Sequence, residues 1–437
     1  RQGLGQQAAL DPGPYELARV QFVVRVGQGG AAGEGARPTA ISRSRARSAS
    51  ARATGPPVSG RRGSVRLSHV EEATGGAVMR GIIFEGDGRM RVETVPDPAI
   101  VQPDDAIVRV TKAGICGSDL HILNHGEAFG FHQGCRVGHE FVGVVEAVGA
   151  DVTHLAPGDK VCSPFWISCG NCHFCRKGLQ TSCVHGGSFG FQTFWPGGGD
   201  VQGGQSEFVR VPMAEGTLDK VPESLADDAD DHRVLPMTDV FPTAYHAVCC
   251  AGVAPGDNVV VVGDGAVGLL AAHAAGLFDP ASIVLLGHHH DRLQVGAQLG
   301  ATHTIDTGAA DPAETIADLT DGLGADRIIL AISSPETMRF AMEQLQPGGT
   351  ISWVGMEVFL GAPDIPWDQA FMKNATISGG VAPVKRYLSE LWPLLESGRI
   401  DPSPVLTHDL PLEQGVDGYR IMDQREPGSV KVAVTPG

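Results

Sequence analysis

NVVVVGDGAVGLL, residues 258–270, is the stretch on which the reading of the fold turns. Four consecutive valines suit a strand covered on both faces. Gly263, Gly265 and Gly268 then follow as G-x-G-x-x-G. A lone match of this kind is weak, but here it closes a strand and opens a helix-length apolar run, the context in which the motif holds a dinucleotide. Gly263 permits the tight turn, Gly265 leaves room for a pyrophosphate, and Gly268 lets helix and strand pack closely. Free N–H groups at the helix start would face the phosphates. The plainer alternative is a glycine turn in a ligand-free α/β unit.

Downstream of this loop, strand-like and helix-length runs alternate: SIVLLG (282–287), DRLQVGAQLGA (291–301), DRIILAI (326–332), TMRFAMEQL (337–345) and TISWVG (350–355). Such alternation predicts a parallel sheet covered by helices. Upstream, from Gly81 to about Val211, the chain reads as short strands and turns, as in AIVRVTKAGIC (106–116) and EFVGVVEAVG (140–149). This predicts a partly open β-barrel domain. After ATISGG (375–380), one helical stretch, VKRYLSELWPLLESG (384–398), leads into a strand-rich tail. The expected class is α/β, divided into a barrel domain over 79–240, a doubly wound parallel-sheet domain over 241–378, and a return to the first domain over 379–437.

At 437 residues the chain exceeds a single core. Its net charge is −17; residues 1–78 hold 11 Arg, no Lys and 5 acidic residues, a balance of +6, which leaves −23 to the rest. An acidic body argues against nucleic-acid binding. No apolar run approaches the ~20 residues of a membrane-spanning helix, so a cytoplasmic protein with a small-molecule partner and no membrane contact is expected. Ala36 to Val70 contains no Asp or Glu and is rich in Arg, Ser, Ala and Gly, which predicts a disordered extension over 1–78. That segment reads either as an organelle-targeting peptide or as an extension ahead of a protein that starts near Val78 or Met79. Pro196–Gly199 with Gly203 and Gly204 predicts a flexible loop.

Nine cysteines in a chain this long do not make a disulfide scaffold. Four of them, Cys169, Cys172, Cys175 and Cys183, form C-x2-C-x2-C-x7-C within fifteen residues. Four thiolates suit a tetrahedral Zn²⁺ closed to solvent, a structural site; an iron–sulfur cluster also uses four thiolates but fits the wider pattern less well. Cys135, Cys162, Cys249 and Cys250 have no expected role beyond packing. A second constellation is scattered. GICGSDLH (114–121) carries Cys116, Ser118, Asp119 and His121; GHE (138–140) carries His139 and Glu140; MTDVFPTAYH (237–246) carries Asp239. Cys, His and a carboxylate are three good zinc ligands that leave one position open. Singly they read as a core thiol, a core histidine and a helix N-cap.

The nucleotide's 2′ group is decided at the end of the second strand, where an acid binds the ribose of NAD. Here the chain reads LLGHHHDR (285–292), with Gly287 in the acid's place. His288, His289 and Arg292 would offer positive partners to a 2′-phosphate, so the reading favours NADP, with NAD still open. A metal site at His288–His290 is less favoured, because sequential side chains point in different directions.

In these motifs the chain resembles the zinc-containing medium-chain dehydrogenase/reductase superfamily from Met79 to its C-terminus. G-H-E-x2-G-x5-G-x2-V is matched by Gly138, His139, Glu140, Gly143, Gly149 and Val152, and TDVFPTAYHA and GGQSEFVRVP are similar to bacterial alcohol and formaldehyde dehydrogenases of that group. The resemblance implies a GroES-like catalytic domain split around a Rossmann domain, an alcohol or carbonyl substrate, NAD(P), and two zinc ions per chain. It also implies a homodimer or homotetramer. Cys116, His139 and Asp239 would hold the catalytic zinc, with Glu140 behind it and Asp119 orienting His139. Ser118 and His121 match proton-relay positions. Thr243 and Val267 would lie toward the nicotinamide, Arg292 and Lys431 toward adenosine and pyrophosphate, and Phe165 and Trp166 along the pocket wall, where plain core packing is the other reading. Gly117 departs from relatives that carry a phosphate-binding Arg there, and Gly287 departs from the NAD-binding pattern. A polyol or formaldehyde dehydrogenase, a carbonyl reductase, or a non-catalytic NADP(H)-binding member are the other readings.

Overall fold

The computed structural model describes residues 77–190, 201–356 and 364–437. The expected disordered extension lies outside the described residues up to position 76, as does the Pro196–Gly199 part of the glycine-rich loop.

Two strands open the first lobe, β1 (Val78–Gly86) and β2 (Arg89–Pro96), paired antiparallel through Asp87 and Gly88. β3 (Ala106–Ile115) runs into α1 (Gly117–His125), and β4 (Glu140–Val148) returns along β3 with Glu140 opposite Gly114. β5 (Lys160–Ser163) pairs with β4, and a two-residue ladder of β6 (Trp166–Ile167) and β7 (Gly187–Ser188) brackets the four cysteines. β8 (Phe208–Val211), α2 (Ala214–Thr217), β9 (Asp219–Lys220) and α3 (Asp231–Val234) lead to α4 (Val240–Ala251).

The second lobe is β10 (Asn258–Val262), α5 (Ala266–Ala275), β11 (Ser282–Gly287), α6 (His290–Gln298), β12 (His303–Asp306), α7 (Pro312–Leu319), β13 (Ala325–Leu330), α8 (Pro335–Gln344), β14 (Leu345–Trp353), α9 (Trp367–Lys373) and β15 (Thr376–Gly379). Its sheet is wholly parallel in the order β12-β11-β10-β13-β14-β15. The order reverses at β10, which opens a crevice beside the glycine loop, the place where ligands enter such sheets. Val259, Val260 and Val261 are buried on both faces of β10, each stabilising by about 1.5–3 kcal/mol relative to exposure.

The chain then forms α10 (Val384–Glu396), β16 (Leu406–Pro411), α11 (Gly415–Asp423) and β17 (Lys431–Thr435). β16 and β17 join the first lobe in a seven-stranded sheet ordered β16-β17-β3-β4-β5-β9, with β8 also on β3, so the expected open barrel domain is completed by C-terminal strands. α10 does not follow them. Its stripe of Leu388, Leu391 and Leu395, spaced for one helix face, shares a core with Phe241 and Val248 of α4 and with Val259 and Val261 of β10.

Candidate metal and dinucleotide sites

The register of β3 and β4 brings the scattered constellation together. Cys116 caps α1 where β3 ends, and His139 and Glu140 begin β4 alongside. Asp239 precedes α4 with φ −152° and makes no cap bond; its carboxylate turns to His139 instead. Donor atoms of Cys116, His139, Glu140 and Asp239 all lie within 4.8 Å of one another. Asp239 Oδ2 is 3.3 Å from His139 Nε2 and 3.8 Å from Cys116 Sγ.

Each donor is held from behind. Asp119 Oδ1 lies 3.2 Å from His139 Nδ1, fixing the ring so that Nε2 faces Cys116 and Asp239. Asp119 Oδ2 accepts from the Cys116 N–H at 2.9 Å and from Gln205 Nε2 at 3.1 Å, and Tyr419 OH donates to Gln205 Oε1 at 2.8 Å. Thr243 Oγ1 donates to Asp239 Oδ1 at 2.8 Å. Lys431, fully buried on β17, donates to Glu140 Oε1 at 2.7 Å and to the Ile115 carbonyl at 3.2 Å.

Electrostatics show what the cluster requires. Burial, then the carboxylates of Glu140 and Asp239, push the Cys116 thiol up. Burial would pull the His139 imidazole down, but Asp119 and the bonds to Asp239 and Cys116 hold it well above its ordinary value. Burial also opposes the Lys431 ammonium, which Glu140 and Cys116 keep raised. A thiol, an imidazole and two carboxylates buried around one lysine bring several lone-pair donors together out of water, which a bound cation would satisfy. The donor set of sulfur, imidazole nitrogen and carboxylate oxygen fits zinc.

Ser118 Oγ sits 3.2 Å from His139 Nε2. His121, half-buried, follows three residues along α1, one turn on the same face. Phe165 stands edge-on to the His139 ring at 6.3 Å between centroids, and Trp166 lies 6.4 Å beyond it.

In the other cluster all nine cysteines of the chain being free, the four thiols of the loop are available as ligands. Their sulfurs lie 3.5 Å (Cys172–Cys175), 3.5 Å (Cys169–Cys183), 3.9 Å (Cys172–Cys183) and 4.0 Å (Cys169–Cys175) apart. A tetrahedral zinc with sulfurs at ~2.3 Å requires sulfurs about 3.8 Å apart, so the thiols already have its geometry. Backbone N–H groups of Cys175 and Val184 hold the Cys172 thiol down at about 6. Burial pushes Cys175 and Cys183 up.

At the glycine loop, Gly263 has φ +118°, and a Cβ on Gly268 would overlap the Gly263 carbonyl. A Cβ on Gly265 would meet nothing within 4 Å, which leaves open the space a pyrophosphate needs. Val267 is half-buried one position into α5, which packs against α4 and so ties the loop to Asp239.

Two expectations change in the structure. Lys431 lies beneath the metal cluster, its ammonium committed to Glu140 and Ile115 rather than to a phosphate, because β17 pairs with β3 and points it inward. His288, His289 and Arg292 already have partners, the His288 ring lying 2.9 Å from Thr307 Oγ1. The backbone N–H groups of both histidines donate to the Asp264 carboxylate, the His289 ring lies 2.9 Å from it, and Arg292 donates to the Ser429 carbonyl at 2.8 Å. Sequence reasoning missed Asp264, Gln205 and Tyr419. The last two have no signal in a single chain, since they meet 214 residues apart; Asp264 lay inside the quoted motif at a position whose identity the motif leaves free.

Fold and donor set define a zinc-dependent oxidoreductase. The profile of the alcohol dehydrogenase GroES-like domain matches residues 102–223, and that of the zinc-binding dehydrogenases matches residues 266–397. A zinc-type alcohol dehydrogenase-like protein, AdhB, of Bacillus subtilis is 33% identical over 389 residues, covering 82% of this chain and 100% of the relative. Among solved structures, the alcohol dehydrogenase TADH from Thermus sp. ATN1 matches with TM-score 0.75 at 36% identity, over 82% of this chain and 100% of that one. A zinc-binding dehydrogenase from Sinorhizobium meliloti, bound to NADP, matches with TM-score 0.69 at 27% identity, over 82% and 100%. The chain belongs to the zinc-dependent alcohol dehydrogenases of the medium-chain dehydrogenase/reductase superfamily.

Proposed function

We propose that this protein oxidises alcohols to aldehydes or ketones, or runs the reverse reduction, with NAD(P) as hydride partner. Cys116, His139 and Asp239 would hold the catalytic zinc, and Cys169, Cys172, Cys175 and Cys183 a structural one. The observation that carries this reading is the convergence of four donors of three kinds, from three separate segments, within 4.8 Å. Zinc supplies a Lewis acid for the substrate oxygen, and the nicotinamide supplies the hydride chemistry.

The protein's own groups do the rest. Asp119 holds His139 in one orientation and one tautomer, as a carboxylate behind a ligating imidazole does. Thr243 fixes Asp239, and Glu140 stands by as a fourth donor held by Lys431. Ser118 and His121 carry the alcohol proton outward along α1, a positioned acid–base path. Phe165 and Trp166 give the pocket an apolar wall, so the substrate has an apolar portion. Thr243 and Val267 lie toward the nicotinamide, and the glycine loop with α5 takes the pyrophosphate. The NADP reading from Gly287, and the NADP of the Sinorhizobium relative, make the nucleotide choice turn on the surroundings of β11.

The catalytic domain comprises 79–240 with the part of the 379–437 return that follows α10, around a dinucleotide domain over 241–378 on whose α4 and β10 the helix α10 packs. Oligomerisation, as a dimer or tetramer, uses the edge strand β15 and neighbouring α9. There Trp367, Phe371 and Met372 are 68%, 81% and 76% exposed, a patch of the kind that marks protein contacts. The test is zinc content per chain with absorbance at 340 nm, using NAD⁺ or NADP⁺ and a panel of alcohols. Two zinc ions with nucleotide reduction support the assignment; one zinc without reduction sinks it.

A further inference from the structure

Gly287 occupies the position where an acid would bind the ribose of NAD, yet the end of β11 is not without a carboxylate. Asp264, from inside the glycine loop, reaches across to it. Its Oδ2 accepts from the His288 N–H at 2.7 Å and the His289 N–H at 2.8 Å, and lies 2.9 Å from His289 Nδ1. Arg292 Nη1 faces Oδ1 at 3.9 Å. The side chain is almost wholly buried. Gly287 makes room for it: a Cβ there would lie 2.5 Å from Asp264 Oδ2 and 2.6 Å from Asp264 Cβ. The glycine is the space the aspartate fills.

Two adjacent backbone N–H groups, an imidazole and a guanidinium at the start of a helix together make an anion site. In this chain the anion is built in. Burial would raise the Asp264 carboxyl, but the N–H groups of His288 and His289 and the His289 ring hold it below its ordinary value, so it is ionised at neutral pH.

We propose that Asp264 sets the nucleotide preference of this dehydrogenase toward NAD(H), by occupying with its own carboxylate the donors that a 2′-phosphate would need. A 2′-hydroxyl can approach that carboxylate as a hydrogen-bond donor; a 2′-phosphate meets like charge and spent donors. The inference rests on the reading of the glycine loop as the dinucleotide site, and it reverses the preference that Gly287 alone implies.

Binding constants test it without turnover. The full-length, zinc-loaded protein is titrated with NADH and NADPH by nucleotide fluorescence, and with 5′-AMP and 2′-phospho-5′-AMP by calorimetry. The wild type is expected to hold NADH more tightly than NADPH by at least about tenfold, a like-charge effect. Asp264→Ser frees the donors and should move the ratio toward NADPH by about tenfold or more, with zinc content unchanged. Asp264→Asn, which keeps the shape, should move it the same way by less. Equal affinities in the wild type, or a ratio unmoved by both substitutions, overturn the proposal and leave the dinucleotide site standing. Binding of neither nucleotide overturns both.

Discussion

The two candidate metal clusters are built in opposite ways. The four thiols lie within fifteen consecutive residues, on turns closed by their own backbone, among them the N–H of Cys169 on Cys183 Sγ at 3.3 Å. The catalytic donors come from the end of β3, the start of β4 and the approach to α4, with Cys116 and Asp239 123 residues apart. A local cluster is specified by spacing and orders its own loop. A distributed one is specified by strand register, and its members need positioning partners (Asp119, Gln205, Tyr419, Thr243 and Lys431) that the local cluster does without.

The sharpest way to break that contrast is to remove one ligand from each. Cys116→Ser should abolish turnover and remove one zinc per chain while leaving the 169–183 loop as resistant to protease as in the wild type. Cys172→Ser should remove the other zinc and expose the 169–183 loop to protease. If both variants lose both metals, the clusters are not independent. Ser118→Ala should slow proton release, cutting turnover by about 100-fold, with both zinc ions retained; lost zinc would assign Ser118 to the ligand frame instead. Asp119→Asn should weaken the catalytic zinc by about 10–100-fold, the usual cost of losing a partner behind a ligand, and leave the four-thiol zinc untouched. Tyr419→Phe, which leaves Gln205 Oε1 short of a donor, should cost about 1–3 kcal/mol in denaturant titration. The smallest effect is chemical. In zinc-free protein Cys172 should be alkylated with a midpoint near pH 6, since its thiolate persists down to about 6. Cys175 and Cys183 should react only at higher pH, and zinc should protect all of them.

The same contrast explains what a single chain reveals. The C-x2-C-x2-C-x7-C lobe and the glycine loop after four valines were legible because each is local, with spacing tied to one chemistry. Cys116, His139 and Asp239 had plain packing readings until resemblance grouped them. Nothing in the sequence says that Gly114 pairs with Glu140, the register that closes the site. Lys431 was read as a phosphate partner because a lysine near a terminus has no address until β17 is placed beside β3. Asp264 was hidden for a different reason. The motif places an acid at the end of β11, and here the acid comes from the neighbouring loop into a gap that only a missing side chain leaves open.

Lys431 beneath Glu140 also sets an order of events. A chain grows from its N-terminus at about 5–20 residues per second, and 291 residues separate these two groups. For roughly 15–60 s the Glu140 carboxylate has been made and its counter-charge has not. The four thiols of the lobe, by contrast, leave the ribosome almost together. The four-thiol cluster is therefore complete early in synthesis, while the cluster around Glu140 gains its counter-charge only once β17 has arrived.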